Sequence, residues 1–536
     1  AHEREAERLL RELMPSMAIS LSHEISPEMR EYERFSTAAA NAYVQPLIAG
    51  YLDRLAARLD DEGYRCPMLL MLSGGGLATA DTAKRYPVRL VESGPAGGAA
   101  FAADIAARHG LANVFSFDMG GTTAKLCLID NGLPQTSRSF EVARVWRFAR
   151  GSGLPLRIPV IEMVEIGAGG GSLAVVDELG RISVGPESSG SEPGPACYGL
   201  GGAGATVTDA DLIVGRIDAE DFAGGSMRLD TIAAAAAVDG HVGGPLDLET
   251  QLAALGIVEM VEETMASAAR IHSIEQGAEI GQRSMVAFGG AGPMHAIRMA
   301  DKLGIGRVLV PRQAGVGSAI GFLRAPVAYQ VMRTWQTQLV GIDEVALASL
   351  LSEAESEALA VVASATSEPI ETERMAYMRY EGQGHEIEVA LPGSLPTGSA
   401  LAKTLATLFE RTYEKLYGRG VPNGRIEAMA WSVLVRARGQ KSVPVHDSTA
   451  PTRASTEARR EIIEPATGTR LQAPVFRRKA LPLGAGLTGP AVIVEDETSI
   501  FVPEGWYAQV GPEDILDCQK LRENAATSPT KLDTRI

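Results

Sequence analysis

The chain has 536 residues, enough at roughly 100 to 200 per domain for about three structural units. Hydrophobic residues at 45% and charged residues at 22% exclude a largely disordered chain, while a formal charge of −16 excludes a general electrostatic footprint for nucleic acid or anionic lipid. Cys66, Cys127, Cys197 and Cys518 form no CxxC pair, and no apolar run is long enough to span a membrane, so reduced thiols, no membrane segment and a cytoplasmic location are expected.

Taken in order, residues 1–65 carry helical apolar spacing through Tyr43, Val44, Leu47, Ile48, Tyr51 and Leu55, interrupted by a strand-like AISLSHEI at 18–25. The chain opens with Ala inside an amphipathic pattern (Leu9, Leu10, Leu13, Met14), which reads as a missing natural start. CPMLLMLSGGG (66–76) predicts a buried strand entering a glycine turn, and 88–110 a strand ending at Ser93-Gly94-Pro95 before an alanine-rich helix. VFSFDMGGTTAKLCLIDNG (114–132) reads as strand, glycine hairpin, strand, closed by the turn Asp130-Asn131-Gly132. Residues 157–216 are glycine-dense, with a second hairpin near Glu178-Leu179-Gly180. A helix over about 250–276, the strand SMVAFGG, the helix PMHAIRMADKLG and the strand at 307–311 suit a parallel sheet, so the bulk of the fold is α/β. Beyond it the patterns predict a helix at 344–365, a hairpin at 375–391, a helix at 401–417, and strands at 427–437 and 490–502 that suggest a separate β-rich C-terminal region.

Asp118-Met119-Gly120-Gly121-Thr122-Thr123 combines a carboxylate able to hold Mg²⁺ with glycines that let backbone N–H groups approach a polyphosphate and with two hydroxyl donors. Alone, the same residues equally make a tight hairpin. In Ala287-Phe288-Gly289-Gly290-Ala291-Gly292-Pro293-Met294-His295 a strand enters a glycine turn that opens a helix, whose free N–H groups and open backbone suit a nucleotide; a plain strand-to-helix turn has the same pattern. His23, His272, His295 and His385 lie in no HxxxH or HxH pair, so surface or hydrogen-bonded core positions are expected, with His295 best placed to approach a ligand. Cys197 lacks a neighbouring base and reads as structural. Tyr198, Asp209 and Asp211 suit either a cleft wall or a turn and helix cap.

SGPAGG (93–98), DMGGTT (118–123), EIGAGGGS (165–172), EPGPACYG (192–199), TVTDADLIVGR (206–216) and AFGGAGPMHA (287–296) occur in the order found in the hydantoinase A/5-oxoprolinase family, which the chain resembles over about residues 15–510. That family is similar to the actin, sugar-kinase and heat-shock chaperone ATPases, so the resemblance implies an actin-like or sugar-kinase-like two-lobed fold binding ATP and Mg²⁺. By it, Gly120, Gly121, Thr122 and Thr123 cradle phosphate, Gly289, Gly290 and Gly292 face adenosine, and Asp118 is the catalytic and metal-binding carboxylate. Gly169, Gly170, Gly171, Ser172 and His295 are further candidates for substrate or nucleotide, with a glycine bulge in a sheet the alternative for the first four. Segments 94–105 and 315–325 correspond to the paired interlobe helices.

Two departures stand out. No first DxGGTxTD hairpin occurs, so the first lobe is expected to be incomplete and the chain a fragment; and Lys125 stands where many relatives carry an acid, read here as a solvated strand residue ahead of a phosphate partner. The resemblance implies four segments: 1–110 completing the first lobe, 111–330 as the second, nucleotide-binding lobe with a glycine-rich sheet insertion, 331–522 as a C-terminal α+β domain, and 523–536 as a loose tail. It also implies an ATP-dependent hydrolase subunit that phosphorylates the carbonyl oxygen of a cyclic amide such as a hydantoin or 5-oxoproline, paired with a hydantoinase B-type subunit in a hetero-oligomer. A biotin-independent acetone- or acetophenone-type carboxylase subunit, and a noncatalytic nucleotide-binding scaffold, are the alternatives.

Overall fold

A computed structural model describes residues 2–145, 151–438 and 450–521. The expected tail at 523–536 lies outside the described residues. The chain forms two compact units, each assembled from three separate stretches.

The first unit comprises Ala1–Ala100, Thr136–Ile161 and Phe322–Lys441. Its four-stranded antiparallel sheet runs in the order Ala328–Gln338, Ile426–Ala437, Ile370–Tyr380, Ile387–Leu391. Helices Glu344–Ala363 and Ser399–Tyr417 supply apolar faces to the same core as these strands, the first started by Asp343, whose carboxylate accepts from the N–H groups of Val345 and Ala346. Trp431 is wholly buried in that core, and Tyr380 meets Phe409 edge-on at 4.9 Å between ring centroids.

Two expected strands are absent here. Within AISLSHEI the residues Ser22–Ile25 form a helical turn, because Ser22 Oγ and the His23 N–H both donate to the Glu3 carboxylate while Ser22 and Ile25, three apart, bury the same face. Pro87–Leu90 forms a 3₁₀ turn rather than a strand, with Pro87 fixing φ at its first position, and the alanine-rich helix follows at Ser93–Arg108.

The second unit comprises Phe101–Gln135, Glu162–Gly321 and Ser442–Ile536. Three parallel strands stand at the centre of its ten-stranded sheet, with Asn113–Met119 beside Ser284–Phe288 and the latter beside Arg307–Val310. Ala124–Asp130 pairs antiparallel with Asn113–Met119, as the hairpin pattern predicts. The long helix is found at Thr250–Glu275 and packs against the helix Gly292–Leu303.

The compact units do not follow the division expected at 330/331. Leu516–Lys520 pairs antiparallel with Arg307–Val310, and Trp506–Val510 continues the sheet from there, so the strands after 450 lie in the second unit. Conversely, Ile426–Ala437 and the hairpin of Thr136–Val142 with Leu154–Ile161 belong to the first unit. Ladder hydrogen bonds between distant segments decide the partition, and no linker marks it in the sequence.

Replacing Trp431 by Ala is expected to cost about 3–5 kcal/mol through the cavity it leaves. Tyr43→Ala, at a position 86% exposed, should change stability by less than about 0.5 kcal/mol. The two urea unfolding midpoints, each against the wild type, check the contrast.

Candidate functional site

The register of the parallel pair places Asp118 opposite Phe288, so both strands stop at one edge of the sheet and both glycine turns leave from it. Carboxyl ends of parallel strands are where open α/β sheets bind ligands. The turns are fastened together there, with the Ala291 N–H donating to the Met119 carbonyl at 3.0 Å and the Gly289 N–H to the Ala314 carbonyl at 2.8 Å. Gly289 has φ +88°, and a Cβ on it would lie 2.4 Å from the Met119 oxygen and 2.6 Å from Asp118 Oδ1, so only glycine fits beside this carboxylate.

Asp118 accepts from the Ser318 hydroxyl at 3.0 Å. Burial pushes its carboxyl above the usual carboxylate range, against the lowering effects of that hydrogen bond and of the Lys125 charge. Past it, Gly120 closes the hairpin by donating to the Thr123 carbonyl at 3.1 Å, while Gly121 and Thr122 are exposed at the tip. Gly290 is exposed, whereas Gly289 and Gly292 are buried against the end of the Asp118 strand.

Lys125 is not a solvated side chain: it donates to Thr123 Oγ1 at 3.0 Å and stands 3.6 Å from Glu165 on the adjacent strand. Gly169 to Ser172 are buried and brace the hairpin from behind. The Gly170 N–H donates to the Gly120 carbonyl at 3.0 Å, the Gly171 N–H to the Gly121 carbonyl at 2.6 Å, and a Cβ at Gly169 would lie 2.6 Å from the Thr122 nitrogen. These glycines are needed so that two backbones can touch. Thr208 in turn donates through both its N–H and its hydroxyl to the Gly170 carbonyl, at 2.7 and 2.8 Å.

Of the two roles open to the TDAD segment, Asp209 takes the cap: it completes a capping box with Thr206 and accepts from the Ala196 and Cys197 N–H groups at 3.2 and 2.7 Å. Cys197 is buried, and burial with the adjacent Asp209 charge pushes its thiol far upward, which fits the structural reading. His23 and His385 make hydrogen-bonding contacts, to Glu3 and to the Tyr417 hydroxyl.

His295 lies between two buried carboxylates. It is 0% exposed, with Nε2 3.1 Å from Asp211 Oδ2 and Nδ1 3.2 Å from Glu262 Oε1, and Arg216 donates to the same Glu262 oxygen at 2.8 Å. Burial alone would lower its pKa, but the Asp211 charge and the hydrogen bonds to both carboxylates lift it to about 9. Glu262, against its own burial, is held at about 2 by Arg216, His295 and Arg298. This ionic cluster ties the first turn of the helix Gly292–Leu303 to the helices Val207–Ile213 and Thr250–Glu275.

Three contributors have no local signal in the sequence. Ser318 holds Asp118, Ala314 receives Gly289, and Thr498 donates to the Gly290 carbonyl at 2.8 Å. Ser318 lies in the small-residue segment 315–325, where Gly317 is required because a Cβ there would lie 2.9 Å from the Phe101 ring. Among the described residues no group of three or more His, Cys, Asp or Glu could hold a metal. A magnesium ion needs only one or two carboxylates beside phosphate and water, so Asp118 with the exposed hairpin fits one.

Sequence comparison accounts for these turns as a set. The chain belongs to the hydantoinase/oxoprolinase family, whose pattern matches residues 34–331, with the family's C-terminal domain matching 346–521. It is 31% identical over 520 residues to caprolactamase subunit alpha of Pseudomonas jessenii, covering 96% of this chain and 73% of that one. It is 33% identical over 512 residues to an uncharacterized protein of Methanocaldococcus jannaschii, covering 95% and 73%, and 29% identical to 5-oxoprolinase 1 of Arabidopsis thaliana, of which it spans 42%. The crystal structure of the ATP-dependent caprolactamase from P. jessenii superposes with a TM-score of 0.83 over 97% of this chain and 75% of that one. Nucleotide-free acetone carboxylase, at 22% identity, shares the fold with a TM-score of 0.74.

The raised pKa of His295 fixes the sign of a pH effect. Its ion pairs contribute fully below the unfolded-state value near 6.5 and are lost as pH rises through about 9. The stability gap between wild type and His295→Gln should therefore shrink by about 3 kcal/mol between neutral pH and pH values well above 9, as read from chemical denaturation across that range.

Proposed function

We propose that the chain is the ATP-using subunit of a cyclic-amide hydrolase, working with a hydantoinase B-type partner. The observation that carries this reading is the Asp118–Phe288 register, which brings two glycine turns and one shielded carboxylate to a single sheet edge in a chain 31% identical to a caprolactamase subunit. The N–H groups and hydroxyls around Gly121 and Thr122 would receive phosphate oxygens, and the open backbone at Gly290 the adenosine side. Mg²⁺ held by Asp118 would neutralise charge on the phosphates. The amide oxygen then takes the γ-phosphoryl group; water adds to the activated carbon, the ring C–N bond breaks with the proton passing to the amine, and the acyl phosphate so formed is hydrolysed by a second water to carboxylate and phosphate. Such a transfer depends on positioning more than on covalent help, which suits a site built from backbone and one carboxylate.

A second reading has its own support: the chain is 34% identical over 301 residues to the acetophenone carboxylase gamma subunit of Aromatoleum aromaticum. There the phosphoryl acceptor would be a ketone enolate or bicarbonate. Cysteines that form no disulfide, and the lack of any described helix able to cross a membrane, agree with a cytoplasmic setting for either.

ATP turnover by the chain with its partner, in the presence of caprolactam, hydantoin or 5-oxoproline, tests the first reading; acetone or acetophenone with bicarbonate tests the second. Asp118→Asn should lower the stimulated rate by about a hundredfold or more, in line with losing one preorganised charge interaction. Nucleotide binding with no turnover under any pairing would leave a scaffold.

A further inference from the structure

The first unit holds a cavity of about 260 Å³ that the nucleotide loops do not share. Its walls come from the 28–30 segment, the strands carrying Arg138 and Arg157, and the sheet face bearing Thr334, Arg379 and Met429. That is room for a small organic ligand rather than for a lone water, which needs only about 10–15 Å³ on the same measure.

The sheet is deformed there. Both strands flanking Ile426–Ala437 shift register against it at one level, between Thr334 and Thr337 on one side and between Tyr377 and Met378 on the other, so that Met429 is the residue passed over in both ladders. Bulges of this kind commonly re-aim side chains beside sites.

The walls are strongly charged. Four guanidinium groups, of Arg30, Arg138, Arg157 and Arg379, face two carboxylates, of Glu28 and Glu386. Arg138 is stacked with its Cζ 3.8 Å from the centre of the Tyr377 ring, and reaches Glu28 at 3.2 Å and Glu386 at 3.3 Å. Arg379 is fixed through Glu427 at 2.8 Å. Arg157 is different: its Nε is buried without a hydrogen bond among the described residues, and the carboxylate it approaches, Glu33, is 3.9 Å away. Burial raises the Glu28 carboxyl above its ordinary range, which weakens the negative side of the wall.

We propose that this cavity binds a small monocarboxylate with a short apolar body, its carboxylate received by Arg157. A guanidinium that lines the cavity with its ion-pair carboxylate no nearer than 3.9 Å matches a carboxylate fork. Glu28 and Glu386 would repel a doubly charged phosphate more than a singly charged ligand, and Met29, Met429 and Ala430 supply the apolar wall for carbon.

Calorimetric titration of the full chain without nucleotide, using hexanoate and inorganic phosphate as probes, tests the assignment. Hexanoate should bind and phosphate should not compete with it; Arg157→Gln should weaken hexanoate by about tenfold or more, with Arg157→Lys recovering part of the loss. Hexanoate should also shift the methyl resonances of Met29 and Met429 in the wild-type protein, a readout that does not depend on any variant folding. Silent methyl resonances, hexanoate affinity unchanged in Arg157→Gln, or displacement of hexanoate by phosphate would each overturn the proposal.

Discussion

The site depends on the parallel pairing of Asn113–Met119 with Ser284–Phe288. Side chains alternate faces along a strand, so a slip of one residue would turn Asp118 to the opposite face and carry Gly289 away from it. Everything that touches the hairpin helps to prevent that slip. Met119 accepts from Ala291, Gly170 and Gly171 donate to the hairpin glycines, and Thr208 secures Gly170. The result is a stack of backbones held at contact distance, which explains why glycine is dense in these segments and why the residues at the centre of the stack show no side chain to a ligand.

Beneath the second turn the fold accepts a different kind of constraint. Asp211, Glu262, Arg216 and His295 are all nearly or fully excluded from solvent, a costly arrangement for any one of them alone. Together their opposite charges offset one another, and Arg216 also lies with its Cζ 4.9 Å from the centre of the Phe501 ring. Apolar residues of the same volume would pack as well. What the charges add is a defined rotation of the helix Gly292–Leu303 about its axis, because only one setting brings His295 between both carboxylates.

Much of the second unit was legible because its signals are local. Asp118 to Thr123, the turn at Asn131-Gly132 and the strand–turn–helix at 284–303 each state their structure within a few residues. The failures have one origin. His295 looked like a ligand-facing residue because its burial is set by Asp211 and Glu262, far away in the sequence. Lys125 looked solvated because Glu165 reaches it only through strand pairing. The pairing of Leu516–Lys520 has no local trace either, because its partner, Arg307–Val310, lies some two hundred residues earlier. Periodicity and turn chemistry report on neighbours in the chain; they carry no record of which distant strand completes a sheet.

That last pairing bears on how the protein is made. Arg307–Val310 leaves the ribosome with its outer edge open, and Leu516–Lys520, which closes that edge, follows 206 residues later, counted from Val310 to Leu516. At a synthesis rate of roughly 5 to 20 residues per second the gap lasts on the order of 10 to 40 seconds. Throughout it, an unpaired strand of Val308, Leu309 and Val310 stands exposed to any other nascent chain. Slow, nonlocal closure of this kind favours capture by holding chaperones during translation, and makes soluble yield more sensitive to growth temperature than the stability of the finished fold would suggest.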